Sequence, residues 1–171
     1  SGILNGTCNF ILCEMEAGVG YDAALKQAQG HGYAESKPDA DVNGTDALAK
    51  VVILANTLMG GALTPGEVPC EGITGITPDD IERAKRESRR YKLIGSVFRE
   101  DGTVRGRVSP QVIALTDPLA GVSGATNALT LRTDLLDEIT IVGPGAGRTP
   151  TGYALLIDLM RIDRTAPAPP R

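Results

Sequence analysis

The chain has 171 residues, enough for one domain with a substantial core, and its 42% hydrophobic and 22% charged residues are ordinary for a globular protein. A net charge of −4 gives no electrostatic case for nucleic acid. No apolar run reaches the ~18 residues of a membrane span, and the opening SGILNGT lacks the basic region of a signal peptide, so a cytoplasmic setting is expected.

Three cysteines, Cys8, Cys13 and Cys70, cannot all pair and show no metal-ligand spacing; reduced thiols and no metal site are expected. Aromatics are 4% with no Trp, while Gly numbers 21, so the core must be aliphatic and the turns tight. No strand followed by G-x-G-x-x-G opens the chain, which reads as one part of a larger protein, beginning at a domain edge.

In chain order, residues 3–16 read as a helix capped by Asn5 or Thr7 and ended by Gly18. Residues 21–29 read as a second, amphipathic helix stopped by Gly30 and Gly32. A loop around Pro38 follows. A long apolar helix is expected over 45–59, started by Asn43 as cap with Asp46 answering it and closed by Gly60-Gly61. Residues 64–75 look irregular, with a short strand at 68–73. Thr77-Pro78-Asp79-Asp80 is a helix entry with a Thr cap, Pro at the first position and acids in the first turn, and that helix is expected to reach about residue 89.

The second half changes character. Residues 91–99, 103–115, 125–133 and 138–142 alternate as strands, joined by turns such as Asp101-Gly102, and successive runs of this kind favour antiparallel pairing. A glycine-rich loop, Gly143 to Gly147, leads into a last helix over 149–162. Helices first and strands afterwards predict an α+β fold, a mixed, largely antiparallel sheet with helices packed on one face. One domain over 1–163 is expected, followed by a Pro-rich tail or linker at 164–171.

The chemistry concentrates in HGYAESKPDADVNGTDALAK, residues 31–50, where Glu35, Asp39, Asp41 and Asp46 stand close to Tyr33, Lys37 and Lys50. Asp46 and Lys50 are four apart and share a helix face; on spacing alone an ordinary salt bridge is the better reading. Loop acids such as Glu35 and Asp41 are, on composition alone, solvated surface groups. Thr7 is equally a helix cap or a ligand. The GPGAG loop opens a helix and offers amides to an anion or a cofactor, a weak signal by itself. His31, between glycines, reads as a turn residue rather than a base.

Five blocks in order carry a resemblance to homoserine dehydrogenase: GILNGTCNFIL, GYAESKPDADVNGTDALAK, EGITGITPDDI, DPLAGVSGATNA and GPGAGRTPT. They cover nearly the whole chain, but only the catalytic, substrate-binding part of that family. The resemblance implies an oxidoreductase that interconverts L-aspartate 4-semialdehyde and L-homoserine with NAD or NADP, on the way to threonine, isoleucine and methionine. It implies a Rossmann domain N-terminal to this region and a homodimer formed largely through the sheet.

The resemblance also places roles: Lys50 as the catalytic lysine, Asp46 as the group that orients it or a water, and Gly6, Thr7, Tyr33, Glu35 and Asp41 as substrate ligands. Gly143, Gly145 and Gly147 would lie beside the cofactor, with the final helix packed back on the nucleotide domain. Asp39 has no counterpart and is left as surface. Cys8, where the family usually has Thr or Ser, and Lys37, often Asp, depart from the pattern. Two rivals stand: a homoserine-dehydrogenase-like binding or dimerisation module, and a dehydrogenase for another small amino or hydroxy acid.

Overall fold

The computed structural model describes residues 1–145 and 147–165. The chain opens with β1 (Gly2–Ile3), two residues where a helix is expected; α1 (Gly6–Glu16) follows only after Leu4-Asn5. Asn5 is the cap, its side chain accepting from Cys8 N, and Gly18 takes the left-handed turn after the last residues. α2 (Tyr21–Gly30) includes Gly30, so the turn falls to Gly32 at φ +74°.

The loop expected around Pro38 contains a single helical turn, α3 (Asp39–Val42), joined directly to α4 (Thr45–Leu58). Asn43 does not cap α4. It closes α3, and Gly44, at φ +83°, occupies the cap position with no side chain to offer. A left-handed residue is what lets two helices meet across the two positions Asn43 and Gly44, and glycine adopts it without strain.

No strand forms at 68–73. A 3-10 turn (Pro65–Glu67) is followed by a single parallel bridge between Cys70 and Val108. α5 (Pro78–Arg86) has the expected entry, Thr77 and Asp80 exchanging bonds in a capping box. It ends earlier than expected because β2 (Arg89–Glu100) already begins at Arg89. β3 (Thr103–Ala114), β4 (Thr126–Arg132) and β5 (Glu138–Pro144) complete the sheet. α6 (Arg148–Thr165) runs two residues past the expected boundary at 163; the rest of the expected tail, from residue 166, lies outside the described residues.

The five strands are ordered β3-β2-β1-β4-β5, every neighbouring pair antiparallel. The expected α+β class therefore holds, and the two hairpins are separated by the short β1. Pro110 sits within β3, the last strand on its side of the sheet; a proline without N–H is tolerated on such an edge. Val104, Gly106 and Val108 of β3 turn inward while Arg105 and Arg107 turn out.

The main core joins Leu4, Ile11, Leu12 and Met15 to Ala47, Val51, Ile81, Leu93 and Val108, so the helices cover one sheet face. On the other face the connection between β3 and β4 folds back, and Leu119 and Val122 pack on Ile3, Ile94 and Ala128. This explains why β2 is buried at consecutive positions rather than alternate ones.

Lys92 lies inside this arrangement, 1% exposed. Its Nζ donates to Val122 O at 2.6 Å and to Asn9 Oδ1 at 2.8 Å, with Cys13 Sγ at 3.6 Å. Asn9 Nδ2 in turn reaches the carbonyls of Val122, Gly124 and Thr126. Burial lowers the Lys92 pKa below the ordinary lysine range. The pair anchors the 117–125 connection to α1.

Candidate active site

Residues after β1 leave the sheet and start α1, and α3 and α4 lie beside that start. The result is a cleft of about 160 Å³ lined by Asn5, Gly6, Thr7, Tyr33, Asp41, Asp46, Lys50, Ala125 and Gly145. Gly6 is required here: a Cβ on it would lie 2.4 Å from Ala125 O.

Lys50 Nζ donates to Asp46 Oδ2 at 2.7 Å and to Leu4 O at 2.8 Å. The expected i,i+4 pair is therefore present, but it also reaches across to the end of β1, and the lysine side chain keeps 40% exposure toward the cleft. Asp46 does not answer a cap at Asn43. Its carboxylate accepts from Lys50 and, at 2.9 Å, from Asn5 Nδ2. The same Asn5 amide donates to Asp41 Oδ1 at 2.7 Å.

Burial pushes the Asp41 carboxyl above its usual range; the Asn5 bond pulls it back, the charge of Asp46 raises it, Lys50 lowers it and Glu35 raises it. Such a group costs stability when ionised, and the cost disappears as pH falls through its raised pKa. Asp41→Asn should therefore leave the melting temperature at neutral pH equal to or above that of the parent. The advantage should fade as pH falls through the raised pKa and be gone below about pH 4, where Asp41 is protonated folded and unfolded alike. Thermal melts of both proteins across that range check this; a variant less stable at every pH would contradict it.

Thr7 is not the helix cap. Its hydroxyl donates to Tyr33 O at 2.6 Å, tying α1 to the loop after α2. The Tyr33 ring packs edge-on to Phe10 at 5.3 Å and beside His31 at 5.5 Å, so it both packs the loop and borders the cleft. Cys8, buried beneath the acids, donates its thiol to Asp41 O at 3.2 Å, as a hydroxyl there would, and burial followed by the charges of Asp41 and Asp46 raises its pKa.

The structure brings Gly6, Thr7, Tyr33, Asp41, Asp46, Lys50 and Gly145 together. Glu35 is exposed and outside the cleft lining, its carbonyl accepting from Gln29 Nε2 at 3.0 Å. Gly143 lies within β5 and Gly147 precedes α6; neither borders the cleft, and Ala146 of that loop lies outside the described residues. Asn5 was foreseeable only as a cap, and Ala125 carried no signal of its own.

An open antiparallel sheet backed by helices, with a lysine–aspartate cleft where its central strand ends, defines an α+β unit with one small polar cleft among its described residues. The chain belongs to the homoserine dehydrogenase family, whose model matches residues 1–160. It is 49% identical over 166 residues to an NAD(+)-dependent homoserine dehydrogenase of Pseudomonas canavaninivorans, covering 96% of this chain and 47% of that protein. A homoserine dehydrogenase of Methanocaldococcus jannaschii is 42% identical, with 94% of this chain and 47% of that protein covered. Among solved structures, the homoserine dehydrogenase of S. aureus at pH 8.5 superposes with a TM-score of 0.89 at 36% identity, over 99% of this chain and 43% of that one. A hyperthermophilic archaeal homoserine dehydrogenase in complex with NADPH gives 0.77 at 28%, over 97% and 47%. The chain thus spans about half the length of the relatives it matches.

Proposed function

We propose that this chain is the substrate-binding, catalytic part of an NAD(P)-dependent enzyme of amino-acid biosynthesis that interconverts L-aspartate 4-semialdehyde and L-homoserine. The observation that carries the reading is the Lys50 ammonium, held by Asp46 Oδ2 and Leu4 O on the wall of a small cleft that also holds Asp41. Family membership and the names of the relatives support it.

A nicotinamide cofactor, when bound, supplies or takes up the hydride at the carbonyl carbon. Gly145 fits the nicotinamide end, since it brings backbone without a side chain to the cleft beside Lys50. The rest of the nucleotide would be held mainly by residues outside this chain. Lys50 places its free N–H donor where the substrate oxygen gains charge and provides its proton, directly or through a water; in the reverse direction the hydroxyl proton returns by the same route. Asp46 and Leu4 O fix the ammonium, leaving it one donor to spend on the substrate. Asp41 presents a carboxylate to the substrate ammonium, and Gly6 and Thr7 frame the cleft floor.

The homodimer and a companion nucleotide-binding unit belong to the same proposal. Phe98, Ile139 and Ile141 on the strands are 38–59% exposed, and Tyr153, Leu155, Leu159 and Ile162 of α6 are 62–65% exposed. Apolar surface on this scale marks contact with further protein.

The full-length protein with Asp41→Asn tests the assignment of the ammonium. KM for L-homoserine should rise about 10- to 100-fold, the loss of one charge-assisted contact, while an analogue lacking the amino group should be handled as before. An unchanged KM for homoserine would remove Asp41 from the substrate.

A further inference from the structure

We propose that Asn5 is a positioning residue of this cleft, one side-chain amide that ties Asp41 of α3 to Asp46 of α4 so that both acids face the substrate and Lys50 as a single hydrogen-bonded unit. The inference rests on the reading of the cleft given above and adds a residue that the family resemblance did not assign a role.

Asn5 is 4% exposed and fully committed. A primary amide has two N–H hydrogens, and the Nδ2 of Asn5 directs one to Asp41 Oδ1 at 2.7 Å and the other to Asp46 Oδ2 at 2.9 Å. Its Oδ1 accepts from Cys8 N at 2.8 Å, capping α1. The amide has one orientation only: turned over, its oxygen would face two carboxylates and its NH₂ would face the helix N–H. Because Asp46 Oδ2 also receives Lys50, and Lys50 reaches Leu4 O, the adjacent residues Leu4 and Asn5 hold both ends of one chain of bonds.

The demand is specific to asparagine. Serine caps a helix as well but has one hydrogen and a shorter reach, and aspartate caps it but adds a third negative charge. Without the amide, Asp41 and Asp46 would stand side by side with no donor between them. The charged or titratable groups around Asp41 are Asp46 and Lys50 from α4, Glu35 from the loop and the Cys8 thiol of α1 at its carbonyl. Of these only Lys50 favours the ionised form, and it is engaged by Asp46. Loss of Asn5 should therefore make Asp41 harder to ionise.

Asn5→Ser, which keeps a cap for α1, tests this in two ways. In the chain itself, carbon-detected titration of the side-chain carboxyls should show the Asp41 midpoint at higher pH in Asn5→Ser than in the parent; superimposable curves would overturn the proposal. In the full-length protein, kcat/KM for homoserine should fall about 10- to 100-fold at neutral pH, with the acid limb of the pH profile moved to higher pH and KM for the nucleotide unchanged. An acid limb in the parental place would overturn it. Should Asn5→Ser fail to fold, the two Nδ2 protons of Asn5 in the parent decide: both should shift as the carboxylates titrate, and a pair flat across that range would refute the tie. The carboxyl titrations need no turnover, so an inactive parent would count against the dehydrogenase reading while the tie is still measured.

Discussion

Lys50→Ala in the full-length protein should lower kcat by about 10²- to 10⁴-fold, the range for loss of a positioned proton donor, while leaving the melting temperature nearly unchanged. The two halves of this expectation come from the same geometry. The Lys50–Asp46 pair is 40% and 35% exposed, and half-exposed i,i+4 pairs contribute little to stability. The ammonium is nonetheless held by two acceptors on the cleft wall, so its position is fixed where a substrate oxygen would lie. Lys50→Arg separates the roles. A guanidinium can keep the salt bridge with Asp46 but cannot give up a proton near neutral pH, and its planar fork does not fit the site of a compact ammonium. Turnover in Lys50→Arg should collapse as in Lys50→Ala; near-parental activity would reduce Lys50 to a helix-surface ion pair. Steady-state kinetics and a thermal melt on the three proteins make the comparison.

Lys92→Ala should be the most damaging substitution for the fold, by roughly 3–5 kcal/mol. Two contributions add. Truncation leaves a cavity at a residue only 1% exposed, strands Asn9 Oδ1 without its donor in the interior and leaves Val122 O only the longer bond from Asn9 Nδ2. For a chain of this length that corresponds to a fall in melting temperature on the order of 10 °C. The damage should reach the cleft as well, since the 117–125 connection anchored by Lys92 carries Ala125 onto its wall. The pH dependence has a definite sign. Burial holds the folded pKa of Lys92 below that of the unfolded chain, so the parent gains stability from this group as pH rises from the folded pKa toward the unfolded one. Lys92→Ala should lose that rise. A variant as stable as the parent, or one with the same alkaline trend, would contradict this account of the buried lysine.

The contrast between these two lysines shows how far the sequence could be read. Lys50 was legible because its partner stands four residues away and because the block around it resembles a known family. Lys92 was not: nothing in KLIG marks it for burial, and only the folding back of residues 117–125 over the second sheet face encloses it. The start of the helix at Thr77 was legible to the residue because cap, proline and acids are all local, whereas its end fell short of the expected residue 89. β1 was not, since two residues carry no period and its strand character comes from partners more than ninety positions away. Asn43 misled because it is a favoured cap residue, yet the left-handed Gly44 takes that position and hands Asn43 to α3. Within the site, Asp41 and Asp46 were named through the resemblance, since composition and spacing alone read them as a surface acid and half of a salt bridge. Their union through Asn5 could not be read, because it joins positions 36 and 41 residues apart. Glu35 was placed by resemblance; it is exposed and does not line the cleft, though its charge acts on Asp41.

The most direct test of the central reading is formation of reduced nicotinamide when the full-length protein receives L-homoserine with NAD(+) or NADP(+). The account predicts turnover with L-homoserine, little with its D-enantiomer, and reversal with L-aspartate 4-semialdehyde and the reduced cofactor. A folded protein that binds the nucleotide and the amino acid yet forms no reduced cofactor would contradict it, and would leave the cleft as a binding site without dehydrogenase chemistry.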